Sequence, residues 1–341
     1  MKRLFIFIPA CVIACALYGQ AGSSVYTFLN LPVSSRLAAL GGNNISIRDN
    51  DINFAFGNPA LLTEETDKNI GLNYTAYPAG IHVGTVICGF SLNENSYFAA
   101  GVQYINYGQF QEVTEDNQLM GTFTASDYAL NLIYAQKLTD KWTAGVIVKP
   151  IYSNYESYSS FGVAADAGAS FYDEDSQWSA GLVVKNIGTQ VKSYYSEDGT
   201  QQRESLPFEI QLGASKRFAH APFRISITAT NLQCWNLYNS ELNTTQYVVE
   251  NANIGFMDML MRHMIFAVDF LPSNSFYISL SYNYRRAAEM ATGISRSMSG
   301  FSGGFGLKLS KFQAGFSVAQ YQTGILTYNF SLATSLDRFG L

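Results

Sequence analysis

Charge is scarce in this chain. Lys, Arg, Asp and Glu make up 14% of its 341 residues, against roughly 25% in a soluble protein. Long apolar runs are scarce too. Beyond the first twenty residues no stretch approaches the roughly 20 residues of a membrane helix, and mean hydropathy is only +0.02. A helical membrane protein is therefore excluded. Clustered Lys and Arg are missing, which excludes a nucleic-acid partner. Catalytic motifs are missing as well. His82, His220 and His263 are far apart and lack metal-ligand spacing. No Gly-x-Ser-x-Gly elbow, Walker loop or Cys-x-x-Cys occurs. The expectation is a chain that is not an enzyme and carries no cofactor or metal.

What is present is alternation. From Phe276 to Tyr284 the even positions are Phe276, Ile278, Leu280, Tyr282 and Tyr284, and the odd ones are Tyr277, Ser279, Ser281 and Asn283. Leu326, Tyr328, Phe330 and Leu332 likewise alternate with Thr327, Asn329 and Ser331. A period of two places each set on one face of a strand. Aromatics reach 14%, led by 24 Phe and 22 Tyr. Few charges, many aromatics and neutral hydropathy suit a membrane barrel with a polar lumen. Composition alone equally allows a secreted sandwich with its greasy face inward.

The N-terminus tips the balance. Met1-Lys2-Arg3 is a basic start, Leu4 to Leu17 an apolar stretch, and Gly19 and Ala21 offer a cleavage site before Gly22. These features read as a secretory signal peptide over 1–21. Val12-Ile13-Ala14-Cys15 offers a competing lipoprotein box with Cys15 as the lipidated residue. Without Lys2 and Arg3, 19 basic residues face 26 acidic ones, a net charge of −7. Of four cysteines only Cys88 and Cys234 lie past the signal. They either pair in an oxidising periplasm or are two small buried hydrophobes.

Past the signal the chain divides in two. Residues 22–67 are irregular. In them Ser34 or Ser35 can cap a short helix that Gly41-Gly42 ends, and Pro59 after Asn58 can start a helix or tight turn. Residues 68–341 hold about fourteen strand-like segments, near 69–77, 80–91, 96–107, 125–137, 141–149, 158–172, 176–188, 207–218, 221–232, 263–271, 274–285, 299–309, 311–321 and 323–333. Tight connections at 139–141, 272–274 and 310–311 contrast with long ones at 108–126, 188–206, 233–262 and 285–298. Short turns on one end and long loops on the other define an up-and-down membrane barrel, short turns facing the periplasm. The fold class expected is all-β: a transmembrane antiparallel up-and-down β-barrel of about fourteen strands with a small N-terminal plug, in a bacterial outer membrane.

Smaller features have plain readings. Asp127, Asn131, Lys149, Arg224 and Thr228 fall on polar strand faces and would line the lumen, without the single-sign ring of a selective pore. The Gly-rich run 300–306 lies within a strand and serves close packing or a bend. Asp173, Glu174 and Asp175 form a solvated turn or a calcium site. The 233–262 connection carries Trp235, Tyr238, Tyr247 and Phe256. It either faces a partner or the membrane surface, or folds back over the barrel mouth.

The irregular segment is the most specific. Tyr26-x-Phe28-Leu29-x-Leu31, then Ser34-Ser35-Arg36-Leu37-Ala38-Ala39-Leu40-Gly41-Gly42, then Asn58-Pro59-Ala60-Leu61-Leu62, resembles the PorQ family. Those are outer-membrane proteins of the type IX secretion system of Bacteroidota. The Asn-Pro-Ala element is also similar to that of the long-chain fatty-acid transporters and the related PorV proteins, which are fourteen-stranded barrels. The resemblance implies a membrane anchor rather than an enzyme. It would hold a PorZ-like surface protein, near a sortase–PorV pair, in the complex that joins secreted cargo to anionic lipopolysaccharide. It gives Ser35, Arg36, Gly41, Gly42, Asn58, Pro59 and Ala60 structural roles in the plug. Outer-membrane lipid would surround the barrel. The alternative is a transporter of hydrophobic small molecules such as fatty acids, with a greasy pocket near the plug and a lateral opening where Pro150 interrupts a strand.

Overall fold

The strand Phe276–Asn283 shows how the alternation is used. Ile278 and Leu280 are exposed, Leu280 at 63%, while Ser279 and Ser281 are buried, Ser279 at 0%. Leu326, Tyr328, Phe330 and Leu332 are likewise exposed, and Thr327 and Asn329 buried. The greasy face points outward, which excludes the sandwich and leaves a wall made for lipid.

The computed structural model describes residues 24–49, 51–113, 116, 118–194, 203–237, 255–273, 275–290, 298–322 and 325–339. The strands are β1 Asn69–Ala76, β2 His82–Asn93, β3 Ser96–Val113, β4 Leu119–Lys137, β5 Trp142–Tyr155, β6 Tyr158–Asp173, β7 Trp178–Lys192, β8 Glu209–Arg217, β9 Phe223–Ala229, β10 Met264–Ser273, β11 Phe276–Asn283, β12 Phe301–Lys308, β13 Phe312–Gln322 and β14 Ile325–Ser335. Each pairs antiparallel with its neighbours in sequence, and β1 pairs with β14 to close the barrel. All fourteen expected strands are present. Closure removes every sheet edge from the wall.

Loop length alternates in part as expected, the two-residue β5–β6 turn at the long-loop end being an exception. β2–β3, β10–β11 and β12–β13 are joined by tight turns at one end. The long connections after β7, β9 and β11 lie at the other. Aromatic rings gather toward both ends of the outer face, the usual girdles of a membrane barrel. Trp142 and Phe171, 5.1 Å apart, and Phe223 and Phe270, 5.2 Å apart, meet as tilted rings at the short-turn end. Tyr104 meets Tyr128 at 4.8 Å and Tyr282 meets Phe301 at 4.7 Å toward the long-loop end.

Three expectations need correction. The 108–126 connection is largely strand: β3 and β4 continue past the wall as a ribbon, paired from Gln109↔Thr124 to Val113↔Leu119. A bulge between Asn106 and Gln109, with Gly108 at φ 87, turns the ribbon away from the wall's line. The ribbon's Phe110, Val113, Thr122, Phe123 and Thr124 are strand-favouring residues. Second, β7 runs four residues past the expected boundary at 188, to Lys192. Third, Pro150 does not interrupt its strand. β5 stays continuous and Pro150 pairs in register with Val163 of β6. Toward β4 the pairing stops at Ala129↔Ile151 and resumes at Leu132↔Val148. Pro has no N–H to donate, so it breaks only one of its two ladders.

Candidate functional site

The lumen is the candidate site, and residues 24–67 occupy it. The segment begins at the long-loop end, where the Val25 N–H donates to the Ser205 carbonyl at 2.9 Å and Tyr26, Phe28 and Leu29 pack on Val83, Ile105 and Ile151. It then travels around the inner wall before joining β1. Its helix α1, Ser35–Ala39, lies against β11 to β14. Ser34 caps it, its Oγ accepting from the Leu37 N–H at 3.2 Å. Gly41 and Gly42, at φ 90 and 101, end it as the sequence indicates.

The next turns meet glycines of the wall. A Cβ on Gly181 would fall on the Ile45 carbonyl, and one on Gly168 on Asn58 Oδ1. Gly101 faces Phe56 and Gly145 faces Pro59 in the same way. Each is a socket where backbone replaces side chain to admit the plug. Gly304 of the Gly-rich run serves close packing as expected: a Cβ there would meet the Phe316 carbonyl and Ser317 of the neighbouring strand, and then Ala39 of the plug. Asn58 knits three segments: its Oδ1 accepts from the Ala60 N–H at 3.0 Å, and its Nδ2 donates to the Ile45 and Ala169 carbonyls at 2.8 and 3.3 Å. Pro59 opens a short 3-10 turn, Pro59–Leu61, beneath it. Ser35 receives the wall too, its N–H donating to Ser331 Oγ at 2.8 Å.

Charge fixes the plug to the wall. Arg36, 3% exposed, reaches Asp49 at 2.9 Å and Asp269 of β10 at 3.8 Å. Arg224 of β9 joins the same two carboxylates at 3.4 and 2.6 Å. Burial works against the Arg36 charge, but Asp49 and Asp269 outweigh it and hold its proton above even the usual guanidinium range. The neighbouring Asp51 carboxyl is pushed up by burial. Lys149 and Asp166 form a second buried pair at 2.5 Å. Asp127, Asn131, Lys149, Arg224 and Thr228 are all buried on the lumen face, where alternation places them.

Among the described residues, spaces around the plug include two that reach its charged residues or the lumen lysines. One, about 350 Å3, opens at the short-turn end and is lined by Arg36, Arg48, Asp49, Arg217, Arg224 and Tyr277 among others. The other, about 20 Å3, lies in mid-barrel beside Lys149 and Lys185. It has room for about one water.

At the long-loop end, Trp235 stacks on Phe256 at 5.1 Å and on His263 at 5.4 Å. His263 is buried, with Nδ1 2.7 Å from the Thr230 carbonyl and Nε2 3.2 Å from that of Trp235. Its role is structural. Trp235 is 49% and Phe256 67% exposed. Phe256 starts the helix α2, Phe256–Arg262, which packs on α3, Tyr284–Glu289. The Tyr284 hydroxyl donates to Asp258 at 2.6 Å, and Arg262 pairs with Asp258 at 2.8 Å. Both hold the Asp258 carboxyl below its usual range. Arg286 of α3 stacks over Tyr321 and donates to the Gly41 carbonyl at 3.3 Å, tying the outer helices to the plug. Tyr238, Tyr247 and residues 1–21, with Cys15, lie outside the described residues. Cys88 and Cys234 are separate free thiols. Asp173 sits at the β6–β7 turn and pairs with Lys141 at 2.8 Å.

Sequence reasoning missed the glycine sockets and the carboxylates Asp49 and Asp269. Asp269 had a signal: it holds an inward position between the outward Val268 and Phe270. Asp49 had none.

Known proteins agree with this architecture. Over residues 21–234 the sequence matches the family model described as Type IX secretion system protein PorV. No curated protein matches it. Among solved structures, the fold is similar to the Pseudomonas putida toluene transporter TodX, at TM-score 0.51 and 11% identity, over 89% of this chain and 96% of that one. A TodX monoaromatic hydrocarbon channel mutant, deltaS2S3, aligns at TM-score 0.53 and 12% identity, over 89% and 98%. These likenesses establish the fold: a closed fourteen-stranded barrel of the kind used by outer-membrane channels. The family and these neighbours are secretion components and channels rather than enzymes. The family match spans the plug and the first nine strands, so the chain belongs to the PorV family of type IX secretion system proteins.

Proposed function

We propose that this barrel is a non-enzymatic anchor of the type IX secretion system, of the PorQ kind within its family. In the outer membrane it would hold a PorZ-like surface protein in the complex that attaches secreted cargo to anionic lipopolysaccharide, near the sortase–PorV pair. The observation that carries this reading is a contrast between the two ends of the lumen. The inside is occupied by a plug with sockets cut for it, while the outside presents the exposed Trp235–Phe256 stack on helices tied to that plug. Aromatic anchors in a solvent-facing patch suit protein contact. The test is a pull-down of the tagged protein from detergent-solubilised outer membrane, with mass spectrometry. A large surface protein at near-equal amount supports anchoring. Recovery of the barrel alone, with lipid or fatty acid, overturns it.

The second reading is passage of hydrophobic molecules. It is favoured by the ladder gap at Pro150 and by the fold shared with a toluene transporter. It is disfavoured by the 350 Å3 cavity at the plug, whose lining is rich in arginine rather than greasy side chains. Truncating the outer loops separates the readings. Anchoring predicts lost partner retention with uptake unchanged.

A further inference from the structure

The ribbon carries β3 and β4 beyond the barrel wall. β2 pairs with β3 only as far as Asn106, and β5 pairs with β4 only from Ala125. Among the described residues both outer edges of the ribbon, 109–113 and 119–123, therefore lack a paired strand over about 15 Å, the Thr124 carbonyl accepting from the Glu156 N–H where the ribbon leaves the wall. A two-stranded ribbon alone in water is marginal. Its free N–H and C=O groups are a template for another strand. Proteins usually blunt such edges with lysine or proline, and this segment has neither. No Lys or Arg occurs between Lys68 and Lys137, and no Pro between Pro78 and Pro150. Instead the ribbon exposes Val113, Leu119 and Met120, the last two at 66% and 68%, beside a Phe110–Phe123 stack at 5.3 Å. Glu112 and Asp116 are exposed, and Glu156 is exposed in the neighbouring β5–β6 turn.

We propose that this ribbon is a docking arm that accepts an extended strand of a basic extracellular polypeptide, added edge-on to β3 or β4. The inference rests on the secretion-system reading and deepens it by naming the partner's chemistry. Backbone pairing supplies the affinity, and side chains of the incoming strand meet the apolar and acidic ones. The acidic side chains disfavour the alternative of an arm lying on an anionic lipid surface.

The probe is a synthetic dodecapeptide of alternating lysine and valine, offered to the full-length barrel in nanodiscs. A glutamate–valine peptide is the control. The lysine peptide is expected to bind with salt-sensitive affinity and to slow amide exchange at 109–113 or 119–124, and the glutamate peptide to do neither. E112K combined with D116K should weaken binding at least tenfold. Replacing 109–124 by an Asn-Gly turn lies outside the wall, preserves the barrel, and should abolish binding. Equal binding of both peptides, or binding indifferent to these changes, overturns the proposal. So does ribbon exchange that anionic nanodiscs slow without peptide, which marks a lipid arm. A ribbon-dependent dimer by sedimentation overturns it too, in favour of a second copy. Suppose the shortened-ribbon barrel still retains its surface partner in the pull-down, while W235A with F256A does not. Then the ribbon loses its role and anchoring stands. Peptide binding with no partner retained by any variant fails anchoring alone.

Discussion

Arg36 of the plug lies face-on to Tyr277 of β11, its guanidinium carbon 3.8 Å from the ring centroid. The same guanidinium meets Asp49 and Asp269. One side chain therefore joins plug to wall through both stacking and charge. Removing it leaves Asp269 with Arg224 and Asp49 with less compensation. Arg36→Met is expected to destabilise by about 3–5 kcal/mol, the range for breaking a buried pair. Arg36→Lys keeps the charge but loses the planar fork, and should fall between. Thermal unfolding in detergent and tryptic cleavage of the plug measure this. A wild-type midpoint with an intact plug would contradict it.

The sockets make a steric prediction. Gly168→Ala or Gly181→Ala drives a Cβ onto Asn58 or the Ile45 carbonyl. Overpacking of that kind costs about 1–3 kcal/mol. Gly84→Ala, with open space around it, should stay within about 0.5 kcal/mol of wild type. Melting midpoints of the three variants decide. Equal midpoints would mean that the plug does not need its sockets.

Asn58→Ala removes two donations to carbonyls and one acceptance within a buried site. The carbonyls of Ile45 and Ala169 lose this donor, and a loss of about 1–3 kcal/mol follows. The checking measurement is amide exchange. The Ala60 amide, which loses its acceptor, should exchange faster, while the Ser46 and Ile47 amides, held by Asn44 Oδ1, should change less.

Much of this was legible in sequence, for a physical reason. Alternation is a property of each strand alone, so Leu280 against Ser279 reveals a wall without knowledge of neighbours. The same holds for Ser34 and Gly41-Gly42, whose capping is local. The sockets were not legible. Gly168 and Gly84 look alike in sequence, and only the plug's path, set by contacts across more than a hundred residues, tells them apart. The 108–126 connection reads as a loop for a similar reason: the ribbon within it belongs to no face, so its pattern lacks the lipid–lumen dyad that marks the wall. Tyr26, φ 58 and seated on Gly162, is a further case, since nothing local announces that backbone.

Asp258 gives a pH dependence. Hydrogen bonds from Tyr284 and Arg262 lower its folded pKa below an unfolded value of about 3.9. A group lowered in this way stabilises above its unfolded pKa, and that contribution is lost as pH falls through the folded value. Docking of α2 on α3 should therefore hold at neutral pH and loosen in acid below about pH 4. Amide exchange of 256–262 measured across pH, corrected for intrinsic rates, checks the sign. Asp258→Asn should remove the dependence. Loosening as pH rises would contradict it.

Pro150 offers the cleanest separation of the two functional readings. The register is the same on both sides of the gap, so Leu130 stands opposite Pro150 and Asn131 opposite Lys149 without pairing. The missing N–H and the ring open the ladder, and Asn131 Nδ2 donates to the Ala129 carbonyl at its edge at 3.2 Å. Pro150→Val supplies a donor and a strand-favouring side chain on an unchanged partner strand. One recovered hydrogen bond contributes about 0.5–1.5 kcal/mol, so the barrel should become more stable by that amount, and the amides of 130–131 and 149–151 should exchange more slowly. If the gap is a lateral door for hydrophobic molecules, closing it lowers uptake of a labelled fatty acid by whole cells. If the barrel is an anchor, uptake does not change and the surface partner co-purifies as before. The anchoring reading predicts the second result, because the gap then reflects a local backbone defect on a wall whose lumen the plug already fills.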